Sequence, residues 1–211
     1  MEKKVSLLFP TPIGEFRIPD AEPTNRELKG LILEKEQAEP SQNRANAGGW
    51  HSRDDLLSWK SPAIGTFHGW VMEATDHVIG ATLKMMKDAG MPTNVAKGRL
   101  RATAWANVSR YGHYHRSHNH PASAWSGVYY VDPGTAPADH PLSGLLELPD
   151  PRPYANMAPS PGEPFAQKIL IKPQAGVMIL FPSWCQHFVH PYFGAEARIS
   201  IAFNVVVAEA V

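Results

Sequence analysis

From residue 98 onward the apolar residues recur at every second position. Leu100, Ala102, Ala104, Ala106 and Val108 fall on one face, and Arg101, Thr103, Trp105 and Asn107 on the other. A period of two is the signature of a strand whose two faces meet different surroundings. Further strand segments follow at 125–131, 143–148, 167–172, 177–181, 186–190 and 197–208, with turn residues between them. The proline-rich stretch 149–166 has no periodicity and reads as a long loop. Six or more short strands of this kind predict a mainly β domain, a jelly roll of two sheets. The 20 prolines and 16 glycines agree with a chain of many turns.

The first third carries a different pattern. Thr24 to Glu27 has the spacing of a capping box, and Leu28, Leu31 and Ile32 make an apolar stripe, predicting a helix near 25–37. Residues 39–60 read as a polar loop in which Trp50 anchors onto the domain. Ser61 and Pro62 open a second helix as N-cap and first helical residue. Ile64, Phe67, Val71, Val78 and Leu83 are its buried stripe, and Gly90 with Pro92 ends it. The 211 residues fit one domain: a strand-and-helix brace over 1–95 and a β core over 96–211.

A formal net charge of +0 gives no electrostatic basis for binding nucleic acid or an anionic membrane. The single cysteine, Cys185, leaves no internal disulfide, and a reducing cytoplasm is the default expectation. The apolar run near the start is too short for a signal peptide, and no segment reaches the length of a membrane span. A homodimer is compatible with the chain, with no repeat or coiled-coil signal to support it.

Candidate chemistry gathers in the histidines. Of ten, four crowd into 113–120. His118 and His120 sit two apart on a strand end, so both side chains project from one face while Asn119 turns away. His187, from a distant strand, supplies a third imidazole. Three neutral nitrogen ligands leave coordination positions open, as oxygen chemistry at iron needs. His115 has the opposite parity in a regular strand, or else sits on the preceding loop as a group behind the ligands or a substrate contact; it, His113, His140 and His190 read first as surface or core residues. An Arg–Ser pair in an apolar strand, Arg198 and Ser200, shares a face with Ala202 and Asn204. Buried, such an arginine needs an anion, either a bound dicarboxylate or an internal carboxylate.

With these residues on the page, the chain resembles the 2-oxoglutarate/Fe(II)-dependent oxygenases. Within them it resembles the prolyl 4-hydroxylase-like group and its bacterial and phage members. The resemblance runs over about 98–205, through Trp105-Ala-Asn107, Tyr111-Gly-His-Tyr-His, His118-Asn-His120-Pro, Ser126-Gly-Val-Tyr-Tyr130 and the blocks around His187 and Arg198. Gly48-Gly-Trp-His-Ser also looks like that subgroup. The resemblance implies a double-stranded β-helix, a cupin-like barrel with Fe(II) at its open end and 2-oxoglutarate as co-substrate. It implies His118 and His187 as ligands and Arg198 on the far carboxylate of 2-oxoglutarate. Ser200 and Tyr130 assist, and Asn107 lies near the co-substrate. The family's usual His-X-Asp/Glu is here His-X-His, so His120 takes the carboxylate's place, ligating the metal or leaving a position vacant. The implied reaction hydroxylates a small-molecule or peptidyl substrate as 2-oxoglutarate is decarboxylated.

Trp105, Tyr111, Tyr114, Trp125 and Trp184 are candidate pocket walls, with loops 39–60 and 132–166 over the mouth. Two other readings stay open. One is a cupin-type metal enzyme that works without 2-oxoglutarate. The other is a non-catalytic module in which His113 or His115 closes a four-ligand zinc site.

Overall fold

The computed structural model of the chain describes residues 1, 9–93, 98–152, 154 and 168–209. Eleven strands and two helices are found among them. β1 (Gly14–Arg17), α1 (Glu22–Ala38), β2 (Asn46–Ala47), β3 (Trp50–His51) and α2 (Pro62–Asp88) come first. β4 (Gly98–Ser109), β5 (Tyr114–His118), β6 (Trp125–Asp132), β7 (Leu146–Pro149), β8 (Lys168–Ile171), β9 (Val177–Pro182), β10 (His187–Val189) and β11 (Arg198–Glu209) follow. The predicted loop over 149–166 falls largely outside the described residues.

The strands form two antiparallel sheets, one ordered β1-β9-β6-β11-β4-β3 and the other β2-β5-β10-β7-β8. The alternation predicted for β4 decides the layering. Ala104, Ala106 and Val108 face outward, with Ile199, Ile201, Phe203 and Val205 of β11, into a core that the helices cover with Leu28, Ile32, Phe67 and Val71. Phe67 is fully buried there, and its truncation to alanine would cost about 3–5 kcal/mol. Gly127 of β6 opposes Phe203 in register, and a Cβ on it would stand 2.4 Å from that ring, so no other residue fits. The opposite face of the same strands looks into the space between the sheets, where Tyr130, Leu146, Ile179 and Phe181 make a smaller cluster.

α2 begins as predicted. Ser61 Oγ accepts from the Ala63 amide at 3.1 Å, and Pro62 follows it. Of the predicted stripe, Ile64, Phe67, Val71 and Val78 are buried, whereas Leu83 is only partly so. α1 differs from expectation. It starts at Glu22, with Pro23 in its first turn, and Thr24 lies inside it. The proline's fixed φ suits a first turn without help from a capping side chain. Glu27, predicted to close a capping box, instead accepts a 2.5 Å hydrogen bond from Ser61 at the start of α2. The helices are tied to the sheet by Tyr129, whose buried hydroxyl donates to Asn25 Oδ1 at 2.7 Å.

Residues 39–60 are more ordered than a plain loop. β2 pairs with β5 in one sheet and β3 with β4 in the other, so this segment joins the two sheets along one edge. Between them Gly48 and Gly49 hold φ of 69° and 73°, which glycine adopts without strain. Trp50 is the buried anchor, its indole N–H donating to the Glu39 carbonyl at 2.9 Å. Among the described residues no helix is long and apolar enough to cross a membrane.

Candidate metal and co-substrate site

The predicted metal trio converges. His187 of β10 stands directly opposite His118 of β5 in the antiparallel register, which puts both rings on one face. His120 follows two residues on, and its backbone N–H donates to the Ser183 carbonyl at 3.0 Å, tying it to the turn that leads into His187. One ring nitrogen from each of the three lies within 4.8 Å of the others. The ring centroids are 4.3 Å apart for His118 and His187, and 5.1 Å for either with His120.

Two rings are aimed by main-chain carbonyls. His118 Nδ1 lies 2.7 Å from the Arg116 carbonyl, and His187 Nδ1 lies 3.0 Å from that of Cys185. A carbonyl only accepts, so each Nδ1 carries the hydrogen and each Nε2 keeps its lone pair. Burial lowers the pKa of all three, to about 4 for His120 and about 3 for His187. Neutral imidazoles with free Nε2 atoms are the form that binds a metal. Neither His113 nor His115 joins the group, so among the described residues it has three members and is not a closed four-ligand site.

A cavity of about 380 Å³ opens beside the trio, in the size range of small-molecule sites. Arg198, Ser200, Tyr130 and Asn107 all line it, as the sequence reading expects of co-substrate residues. Ser200 is the register partner of both Asn107 and Tyr130. A one-residue irregularity in β6 between Tyr130 and Asp132 sets that alignment. Asp132 is turned to other work, its carboxylate paired with Lys29 at 2.7 Å.

Arg198 is only 2% exposed. Among the described residues no carboxylate lies within ion-pair distance of it. Its one hydrogen bond is a long one, 3.4 Å to Ser200 Oγ, and Nε has none. Burial lowers its pKa, yet a guanidinium does not give up its proton in a protein. An internal ion pair is therefore not what this arginine is for. Tyr130 Oη and Asn107 Oδ1, buried in the same cavity, also lack partners. An unpaired buried cation flanked by unsatisfied polar atoms is costly unless a bound anion completes it.

Two further histidines enter the cavity, His115, weighed from the sequence only as a secondary candidate, and His51, which sequence reasoning passed over. In β5 the pairing with β10 slips by one residue between His118 and His115, so the strand bulges and His115 turns to the cavity side. There burial, and after it the charge of Arg198, hold its pKa near 3. His51 arrives from β3, and its ring lies 5.6 Å from that of Trp105 at 12° between planes. The Gly-Gly-Trp-His-Ser run was the signal available for it. Of the five aromatic wall candidates only Trp105 lines the cavity. Tyr111, Tyr114 and Trp184 are exposed, and Trp125 packs toward the helix-covered core. Tyr111 and Trp184 sit in turns, and Tyr114 and Trp125 lie on the faces of β5 and β6 that look away from the cavity.

Two facing sheets, three neutral imidazoles and an unpaired arginine at one end define a double-stranded β-helix of the metal-dependent oxygenase class. Residues 103–204 match the family described as Putative 2OG-Fe(II) oxygenase. Solved structures agree on the fold. A prolyl-4-hydroxylase of Pseudomonas putida superposes with TM-score 0.58 at 15% identity, over 95% of this chain and 94% of that one. A prolyl hydroxylase of Trichoplax adhaerens, bound to a hypoxia inducible factor peptide, gives 0.60 at 12%, over 93% and 84%. HygX of Streptomyces hygroscopicus, with nickel and 2-oxoglutarate bound, gives 0.58 at 11%, over 93% and 83%. No curated protein matches the chain by sequence.

Proposed function

We propose that the chain is a hydroxylase with a three-histidine iron site, His118, His120 and His187 all serving as ligands. The observation that carries the co-substrate half is Arg198, buried without an acidic partner in the cavity the imidazoles border. A dicarboxylate completes it, the far carboxylate taking charge-assisted hydrogen bonds from the guanidinium. Ser200 and Tyr130 offer hydroxyls beside Arg198, and Asn107, directly opposite Ser200, stands where the co-substrate's place borders the rest of the cavity. Held by these residues, iron with 2-oxoglutarate would supply the oxidation from dioxygen, one oxygen atom going into succinate as the co-substrate loses carbon dioxide and the other into the hydroxylated C–H bond. The chain orients the reactants and keeps the site dry: Tyr130, Leu146 and Phe181 form apolar walls that hold water away from Arg198.

The substitution of His120 for a carboxylate leaves the site one negative charge short of a His-X-Asp/Glu centre. The neighbouring imidazoles are neutral, so the extra positive charge resides on the metal and favours an anionic co-substrate there. Support for treating 1–211 as a single domain comes from β1, which adds to the barrel's larger sheet.

The reading is tested by anaerobic titration of Fe(II) into the protein with and without 2-oxoglutarate. A weak visible charge-transfer band appearing only with both is the expected result. No band at saturating co-substrate overturns the proposal, and the 2-oxoglutarate-independent metal enzyme then takes its place.

A further inference from the structure

We infer that His51 and Asn107 bind the primary substrate, and that it presents to them an uncharged hydrogen-bond donor, an amide NH or a hydroxyl. The inference rests on the oxygenase reading above and adds a substrate class to it.

His51 and Asn107 are cross-strand partners of β3 and β4, so their side chains leave the sheet on the same face, into the cavity. They are 5% and 3% exposed. His51 Nδ1 lies 2.6 Å from the Ser52 carbonyl and must donate to it, which leaves Nε2 as the ring atom free for a ligand. Burial lowers the pKa of His51, so Nε2 is an acceptor. Asn107 Oδ1 is a second buried acceptor without a partner. Two adjacent acceptors, each short of a donor, call for a ligand that supplies hydrogens.

The place is right for a substrate. Trp105 lies between His51 and His120, with both ring centroids 5.6 Å from it, so a group held at His51 is one indole away from the metal trio. The co-substrate's carboxylate belongs further along the face, at Arg198, which pairs with Ser109 of β4. A carboxylate at His51 would meet the Nε2 lone pair, and only the Asn107 NH2 could donate to it, so one of its two contacts there would be repulsive. An ammonium would donate, but it would enter a cavity that already holds the buried charge of Arg198 and the metal's own. At the rim Arg44 and Asp54 pair at 3.5 Å and offset one another, so no net charge there draws an ion in. A neutral donor is the chemistry left.

The test uses the full-length protein loaded with Zn(II) and 2-oxoglutarate. It is titrated with N-acetyl amino acid primary amides and with the matching free acids, and followed by ligand-observed NMR. The amides should bind at least about tenfold more tightly than the acids. His51→Phe should remove at least about tenfold of amide affinity, and His51→Gln, whose amide oxygen still accepts, should restore most of it. Binding of 2-oxoglutarate, read in the same samples, should change by less than about twofold in either variant, which also reports intact folding. Equal binding of amides and acids, or amide affinity untouched by His51→Phe, overturns the assignment. If 2-oxoglutarate binds but no amide preference appears, the substrate class is wrong and the oxygenase stands. If 2-oxoglutarate does not bind, both fall.

Discussion

The ring of Tyr130 lies against the guanidinium of Arg198, with Cζ 5.5 Å from the ring centroid, and neither Tyr130 Oη nor Arg198 Nε has a hydrogen-bond partner. The cation–π contact offsets part of the cost of burying the charge, and the rest remains until an anion binds. Arg198→Met should therefore raise the melting temperature of the ligand-free protein. It should also weaken 2-oxoglutarate by about 2–5 kcal/mol, the usual loss when one partner of a buried charge pair is removed. Tyr130→Phe should leave the ligand-free stability unchanged or slightly higher and cost about 0.5–1.5 kcal/mol of co-substrate affinity. Differential scanning fluorimetry with a 2-oxoglutarate series reads both.

The three imidazoles are unequally supported, and metal affinity should follow. His118 and His187 are each aimed by a carbonyl at Nδ1, whereas no hydrogen bond to the His120 ring is found among the described residues. Loss of outer partners alone costs about 10–100-fold in affinity. Removal of either aimed ligand, His118→Ala or His187→Ala, should cost at least about 100-fold, and His120→Ala about tenfold. Competition titration with Fe(II) or Ni(II) measures the order. Equal losses at all three positions would show that ring orientation is not what ranks them.

The hydrogen bond from Tyr129 to Asn25 is a buried polar link between α1 and the larger sheet, beside the exposed Lys29–Asp132 pair. Asn25→Leu should destabilise the fold by about 1–3 kcal/mol, because it strands a buried hydroxyl. Adding Tyr129→Phe should recover most of that loss. Urea denaturation of the two single variants and the pair makes the cycle.

Cys185 is 4% exposed, and burial pushes its thiol up to about 11 from a usual 9.0. The native protein should react slowly with iodoacetamide at pH 8 and fully once unfolded. The linkage has a definite sign. The fold favours the neutral thiol, so this contribution to stability is present below pH 9 and is lost as pH rises from 9 toward 11. Rates of alkylation across that window check it.

Much of the fold was legible because long strands with unlike faces announce themselves. β4 and β11 run twelve residues each, and their parity sets Asn107 apart from the apolar face of β4 and puts Arg198 and Ser200 together on one face of β11. His118, His120 and His187 were readable by spacing and by the strand ends that carry them. His115 was not, because a bulge adds one residue to a strand without marking the sequence, and that residue reverses the parity of everything before it. β1, β2 and β3 are four, two and two residues long, too short for any period to show. His51 was missed for the same reason: its place depends on two residues of pairing inside a segment that reads as polar loop.

The segment from β2 to β3 gives one strand to each sheet, and it acts on the molecule as a hinge pin acts on a clasp. Along that edge the sheets cannot part without one of them losing its edge strand. Any breathing that admits a reactant has to occur elsewhere on the rim. Exchanging residues 44–54 for another sequence would alter what is gripped at that border, while His118, His120 and His187, all from other parts of the chain, stay in place.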